Sequence, residues 1–281
     1  MIDDRTGDVV VVVAPRGRTD AADRAVLSAT AAWVLGLDPA TVRVERRCPD
    51  CGSAAHGVPY LAGAAPSGAA PSVAAAPTAS SAPGAGPAGA AARTASSAPG
   101  AGEPAQLPVP VHLPVHLSLT RSGGYVAVAV SLAGPVGIDI ERVEAVARAP
   151  LEDVALSPLE RARASGAAGR SLVGAADLAG IWCAKEAILK ATGDGLRVDP
   201  RDLTLARPTA PGFRPALDAW PGAGFPLEDI ALASFDPASF DPAVGLGFVG
   251  RVAVLTSTGD GTAHPRVTLR LVGITPANSE E

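Results

Sequence analysis

The chain has 281 residues, three cysteines and a formal net charge of -5. This length suits one large domain or two small ones, and the acidic balance argues against general nucleic-acid binding, which usually shows a basic patch. Three cysteines are too few for a disulfide scaffold and fit a reducing cytoplasm. Acidic residues near the N-terminus argue against a secretory signal, and the apolar run at 9–14 is too short to span a bilayer. We therefore expect a cytoplasmic protein without a membrane segment.

The first elements follow a strand and helix pattern. Residues 9–14 are apolar and mostly β-branched, which predicts a buried strand. Thr19 or Asp20 is a suitable helix N-cap, and apolar residues at helical spacing continue to Gly36, a typical stop. We expect Trp33, near the end of this helix, to lie in the core.

The composition changes abruptly at residues 62–110, which consist almost wholly of Ala, Pro, Gly and Ser. One nine-residue string occurs twice, at 78–86 and 94–102. A segment without large apolar side chains cannot offset the entropy cost of ordering it. We interpret it as a disordered insertion in a surface loop.

Regular patterns resume after the insertion. The predicted strands lie at 116–120, 124–132, 136–140, 230–234, 244–255 and 267–272. Ser157, followed by proline and Glu160, predicts a helix that starts with a capping box. Asp177 is a candidate cap for a second helix, which is expected to stop at Gly193.

Two carboxylates lie two residues apart at the end of the third of these strands. Asp139 and Glu141 point to the same face of an extended chain. Two adjacent carboxylates repel each other, and Mg²⁺, which prefers oxygen ligands, would relieve that repulsion. Alone, the pattern is common, and an exposed strand end with solvated acids is the preferred interpretation.

The chain contains only two lysines, and both lie in the second predicted helix. Glu186 and Lys190 share a helix face at a spacing of four, and Lys185 lies beside them. A surface salt bridge is the ordinary explanation of this spacing. Together with the strand pair, however, the set offers three carboxylates and two lysines, which could hold a metal-bound pyrophosphate and deprotonate a hydroxyl.

These segments resemble a known family. The sequences Gly137-Ile138-Asp139-Ile140-Glu141 and Trp182-x-x-Lys185-Glu186-Ala187-x-x-x-Lys190 are similar to the two signature motifs of the surfactin-type 4′-phosphopantetheinyl transferases. The resemblance covers about residues 20–61 and 111–255, so the insertion falls outside it.

The resemblance implies an α+β fold of two pseudo-symmetric α/β lobes with coenzyme A bound in the cleft between them. The N-terminal lobe would span 1–134, interrupted by the insertion, and the C-terminal lobe would span 135–281. The implied reaction is transfer of 4′-phosphopantetheine to a serine of an apo acyl, peptidyl or aryl carrier protein, with 3′,5′-ADP as the leaving group. Two-lobed members of the family generally act as monomers.

The resemblance also assigns roles to residues. Asp139, Glu141 and Glu186 would ligate Mg²⁺, and Glu186 would act as general base on the carrier serine, directly or through a water. Lys185 and Lys190 would neutralise phosphate charge while the bridging bond breaks. The alternative is a non-catalytic protein of the same fold that binds coenzyme A or a carrier.

The chain departs from the family pattern at two positions that concern coenzyme A. Arg121 stands where the family has the histidine of a Ser-His-Ser turn, and Val58 stands where it has a lysine. An arginine can still contact phosphate, and basic residues of the strand predicted at 43–47 could compensate for the lost lysine. Besides the two lysines, the candidate contacts with coenzyme A are Ser118, Arg121, Ser122, Arg43 and Arg46.

Cys48, Cys51 and His56 form a second possible ligand set. A Cys-x-x-Cys pair with a nearby histidine can begin a zinc site. The chain has no second cysteine pair, since Cys183 lies inside the helix motif. Two ordinary thiols in a turn are therefore the preferred interpretation, with zinc as the alternative.

Overall fold

The computed structural model describes residues 8–48, 51–62, 115–165, 173–206, 215–239, 247–256 and 268–273. The insertion predicted at 62–110 lies outside these ranges, apart from its first residue. None of the helices in the described part of the chain is long and apolar enough to cross a membrane.

The secondary structure is a mixture of strands and helices, which confirms the α+β class. The helices are α1 Asp20–Leu35, α2 Val143–Arg148, α3 Glu152–Ala155, α4 Pro158–Ala164 and α5 Ala175–Thr192. The strands are β1 Asp8–Pro15, β2 Val44–Arg47, β3 Val58–Leu61, β4 His116–Ser122, β5 Tyr125–Ser131, β6 Val136–Arg142, β7 Thr204–Leu205, β8 Leu217–Ala219, β9 Ile230–Phe235, β10 Phe248–Leu255 and β11 Thr268–Gly273.

Two sheets face each other across one core. The first has the order β11-β1-β5-β4 and the second the order β6-β10-β9. Side chains of β1 and β5 pack against those of β6 and β10 in one buried cluster. Helix α1 covers the outer face of the first sheet, and α5 covers the outer face of the second. The strands β4 and β6 lie side by side at the junction of the two sheets.

Strand β5 shows why the sequence pattern predicted its position. Its valines, including Val126 and Val128, pack toward α1, while Ala127 and Ala129 face the second sheet. Both faces are buried, so the small side chains mark the face where the two sheets approach each other closely. The strands predicted around β1, β4, β6, β9 and β11 are likewise confirmed within a few residues.

The helix ends follow local rules in most places. The Thr19 hydroxyl accepts a hydrogen bond from the Ala22 amide, and Gly36 ends α1 with a φ of 67°. Ser157 and Glu160 form the predicted capping box of α4. Helix α5 ends at Thr192, but the cap predicted at Asp177 is wrong.

The N-cap of α5 is Gly174, and Asp177 lies in the first turn of the helix. An acidic side chain is favourable there because it interacts with the positive end of the helix dipole. The start of α5 was therefore predicted three residues too late.

Two other expectations differ from the structure. Trp33 is 50 % exposed, and its ring lies 5.3 Å from the Arg270 guanidinium, in a cation-π contact. Strand β11 pairs in parallel with β1 in the first sheet, although the sequence assigned its residues to the C-terminal lobe. Each sheet carries one long helix on its outer face, and the pseudo-symmetry of two lobes stays a prediction.

Candidate active site

The close packing of α5 on β6 positions the two motifs against each other. A side chain at Gly137 would run into the Ala187 carbonyl oxygen and lie 2.7 Å from the Ala191 nitrogen. Because glycine has no Cβ, the helix backbone can rest directly on the strand. Asp139, two residues further along the same strand face, is thereby brought against the C-terminal half of α5.

Asp139 is the most buried acid of the site, with 3 % of its surface exposed. Its Oδ1 accepts hydrogen bonds from the Thr120 hydroxyl and from Lys190 Nζ, both at 2.7 Å. Its Oδ2 is buried and has no conventional hydrogen-bond partner among the described residues. The Cys183 thiol, a weak donor, also interacts with the Asp139 carboxylate. A buried carboxylate oxygen in this state is open to a cation.

Glu141 lies at the end of β6 and is half-buried. The Ser122 hydroxyl donates to its Oε2 at 2.9 Å, and the Trp182 indole also donates to it. Burial raises the pKa of the Glu141 carboxyl, and the negative charge of Asp139 adds to this shift. The strand pair therefore shows the repulsion that the sequence pattern predicted.

Helix α5 adds one acid and one base to the site. Lys190 Nζ lies 3.7 Å from Glu186 Oε2 and also donates to the Ile138 carbonyl oxygen at 3.2 Å. Burial raises the pKa of the Glu186 carboxyl; the Lys190 ammonium partly offsets this shift, and the charge of Asp139 adds to it. Burial alone would lower the pKa of Lys190, but the Asp139 and Glu186 carboxylates raise it. Lys190 thus stays charged between two acids.

The three predicted metal ligands fit Mg²⁺ in their chemistry, since all of them offer oxygen. Their ligand atoms do not all lie within 4.8 Å of one another, so they do not form a closed cage. Among the described residues, one group of three acidic, cysteine or histidine side chains meets this distance criterion, and it lies elsewhere in the chain. The cationic group between Asp139 and Glu186 is the Lys190 ammonium. A Mg²⁺ ion here would keep several water ligands, as it usually does in proteins.

The structure separates Lys185 from this group. Its side chain is fully buried, and Nζ donates to Glu160 Oε2 at 2.5 Å and to the Ala155 carbonyl oxygen at 2.6 Å. Glu160 also accepts hydrogen bonds from the amides of Ser157 and Leu205. Consecutive helix residues point in directions about 100° apart, so Lys185 faces α3 and α4 while Glu186 faces β6. The expected grouping of both lysines beside the carboxylates is therefore corrected.

The serines of β4 also occupy positions that the sequence did not predict. Ser118 is buried, and its hydroxyl accepts a hydrogen bond from the Ile138 amide at 3.1 Å. A row of three hydroxyls on β4, from Ser118, Thr120 and Ser122, forms hydrogen bonds with β6. Ser118 and Ser122 therefore contact strand β6, although they were expected to contact phosphate. Sequence reasoning missed Thr120, although its place between two serines at strand spacing was a usable signal.

Arg121 points to the opposite side of β4. Its Nε donates to Asp23 Oδ2 at 2.5 Å, and its Nη2 lies 3.4 Å from Asp20 Oδ1 without a hydrogen bond of good geometry. Burial alone would raise the pKa of Asp23, but the Arg121 hydrogen bond and the charges of Arg121 and Arg16 lower it. The buried acid holds the arginine in place.

A group of arginines surrounds this position. Burial lowers the pKa of Arg46, and the positive charges of Arg121 and Arg24 lower it further. The Arg121 and Arg24 guanidinium groups therefore each lie near enough to Arg46 to repel it. Arg43 is exposed just before β2, and no described contact places its side chain in the group. The basic strand expected at 43–47 thus places Arg46 near Arg121, Arg24 and the Asp20 carboxylate beside β4.

Comparison with known proteins agrees with the site in one segment. Residues 135–226 match the model of the 4′-phosphopantetheinyl transferase superfamily. This segment contains the carboxylates of β6 and the whole of α5. No curated protein matches the chain.

Among solved structures, the chain is similar to holo-[acyl-carrier-protein] synthase from Neisseria meningitidis. The match has 20 % sequence identity and a TM-score of 0.31, and it covers 42 % of this chain and 94 % of that one.

Proposed function

We propose that this protein transfers the 4′-phosphopantetheine group of coenzyme A to a serine of an apo carrier protein. The observation that carries the proposal is the buried carboxylate of Asp139, one oxygen of which has no conventional hydrogen-bond partner. Asp139, Glu186 and Lys190 all lie in the segment that matches the transferase superfamily. A buried acid in this state is costly unless a ligand or ion completes it.

The reaction requires one bond to form and one to break. The carrier serine oxygen bonds to the phosphorus that bears pantetheine, and the bond from that phosphorus to the bridging oxygen breaks. The products are the phosphopantetheinyl serine and 3′,5′-ADP. Catalysis of this kind depends mainly on positioning and on stabilisation of charge.

Glu186 is our candidate for the group that accepts the serine proton. It is mostly buried but still reaches the surface, since 17 % of its side chain is exposed. Burial raises the pKa of its carboxyl in the metal-free site, and its partial exposure lets it accept the proton directly or through a water. Lys190 would offset the negative charge that develops on the leaving phosphate, because its ammonium stays charged between the two acids.

Asp139, Glu141 and Glu186 would hold Mg²⁺, which would supply positive charge to the phosphate oxygens. The oxygen-only donor set and the unpartnered Asp139 oxygen support this assignment. Ser122 and Thr120 would position the carboxylates through the hydrogen bonds described above.

Arg46, Arg121 and Arg24 are our candidates for binding the charged nucleotide end of coenzyme A. The positive charges of Arg121 and Arg24 repel that of Arg46, and a bound phosphate would relieve this repulsion and accept hydrogen bonds from the guanidinium groups. Lys185 is omitted from this set, because it is fully buried and paired with Glu160.

Intact-mass spectrometry of an apo carrier protein tests the proposal. The carrier is incubated with this protein, coenzyme A and Mg²⁺, and parallel reactions contain EDTA or the Glu186→Gln variant. The proposal predicts a Mg²⁺-dependent gain of one phosphopantetheine that the variant does not produce. Acyl, peptidyl and aryl carriers are tested separately.

Two other outcomes would each replace the proposal. Binding of coenzyme A without any mass gain on all three carriers would favour a non-catalytic binding protein. Transfer of a phosphoryl group from ATP, with coenzyme A inactive as donor, would indicate a different Mg²⁺-dependent phosphotransferase.

A further inference from the structure

The loop between β2 and β3 brings together three side chains that the proposed transferase reaction does not use. The ligand atoms of Cys48, Cys51 and His56 all lie within 4.8 Å of one another. Cys51 Sγ is 3.4 Å from His56 Nε2, and the cysteines form no disulfide. Cys48 is buried, while Cys51 and His56 are exposed at the rim of the loop.

Backbone contacts fold this loop around Cys48. The Gly52 amide donates to the Cys48 carbonyl oxygen at 3.0 Å, and the Cys48 amide donates to the Ser53 carbonyl oxygen at 2.9 Å. Gly52 has a φ of 69°, and Gly57 has a φ of 110°, both in the region that favours glycine. The loop thus closes on itself through its backbone, and it returns His56 to the side of the first cysteine.

The second glycine also permits a close approach. A side chain on Gly57 would run into the Arg47 carbonyl group and the Cys48 nitrogen. The end of the loop therefore lies directly against its beginning. The residues between Cys48 and Gly57 include no apolar side chain larger than proline, so hydrophobic burial contributes little to this arrangement.

We propose that Cys48, Cys51 and His56 bind a zinc ion. Two sulfur donors and one imidazole are a typical ligand set for zinc, with distances of about 2.3 Å to sulfur and about 2.0 Å to nitrogen. In tetrahedral geometry such a sulfur and nitrogen lie roughly 3.5 Å apart, which agrees with the 3.4 Å between Cys51 and His56. Water or an external ligand takes the fourth position.

The ion would fix the hairpin of β2 and β3. This hairpin is a separate two-stranded sheet, and isolated hairpins of this kind are marginally stable. It also carries Arg46, one of the arginines grouped beside β4. Zinc binding would therefore stabilise the part of the chain that presents Arg46. This consequence does not depend on the reaction that the protein catalyses.

The test measures metal content by mass spectrometry on the full chain, purified without a histidine tag and without chelators. We expect about one zinc ion per chain and a loss of most of it in Cys51→Ser and in His56→Ala. Both side chains are exposed, so these variants should keep their circular dichroism spectrum. Cys183→Ala is the matched control: it removes the remaining cysteine, far along the chain in α5, and should retain the zinc.

A second measurement distinguishes a built site from incidental zinc. After replacement by Co²⁺, the wild type should show thiolate charge-transfer bands and intense tetrahedral bands, which Cys51→Ser lacks. Chelation should lower the melting temperature of the wild type but not that of His56→Ala. The proposal is overturned if the wild type neither contains zinc nor takes it up from buffered zinc solution. It is equally overturned if Cys51→Ser and His56→Ala retain zinc at the wild-type level.

Discussion

The contrasting positions of the two lysines give a prediction that separates stability from activity. In Lys185→Met, the buried Glu160 carboxylate loses its charged partner, and the Ala155 carbonyl oxygen loses its donor. Removing one member of a buried ion pair costs about 3–5 kcal/mol. Domains of this size are stable by about 5–15 kcal/mol, so the variant should remain folded but unfold at clearly lower urea concentration.

The double variant Lys185→Met/Glu160→Gln should recover a large part of this loss. It leaves no unpaired buried charge, and the glutamine oxygen can still accept one of the two amide hydrogen bonds that Glu160 now accepts. Urea unfolding followed by circular dichroism measures each variant and gives the coupling energy of the pair.

The same variants report on catalysis. At low urea and low temperature, Lys185→Met should transfer phosphopantetheine at a rate within a few-fold of the wild type. The structural role of Lys185 would be refuted by two results together. Lys185→Met would have an unfolding free energy within about 1 kcal/mol of the wild type, and it would transfer phosphopantetheine about a hundredfold more slowly. Lys185 would then act on phosphate, as the sequence motif suggests.

Four further results are expected. Glu186→Gln should lower the transfer rate by at least about a hundredfold, the usual range for a lost general base, while calorimetry shows unchanged coenzyme A binding. Gly137→Ala should lower the melting temperature and the activity together, because its methyl group collides with the backbone of α5; a normal melting curve would contradict the packing. Arg121→Ala should raise KM for coenzyme A more than it lowers kcat, and an unchanged KM would place it outside the nucleotide site. In metal-free protein, the pKa values of Glu141 and Glu186 are raised in the folded state. These two groups therefore stabilise the folded state below their unfolded pKa, near 4.5. This stabilisation is lost as pH rises through the folded pKa. Mg²⁺ should therefore raise the melting temperature more at neutral than at mildly acidic pH, and Glu141→Gln/Glu186→Gln should remove this difference.

Local patterns predicted most elements because they depend on neighbouring residues only. The period of two in β5 and the glycine after Leu35 identify a strand and a helix end without reference to the rest of the chain. The predictions of side-chain burial were wrong where a segment distant in the sequence packs against the residue. Trp33 has the spacing of a core residue, yet it is half exposed and packs on Arg270 of β11, more than 200 positions later in the chain.

The candidate site shows the same division. The sequence by itself determined that Asp139 and Glu141 share a strand face and that Glu186 and Lys190 share a helix face, because backbone periodicity fixes both relations. Only the tertiary structure decided which side of α5 faces the carboxylates. The helix packs on β6 through Gly137, and this contact turns Glu186 and Lys190 toward Asp139 and Lys185 toward Glu160. Side-chain spacing sets directions around one element, whereas packing between elements sets what lies in each direction.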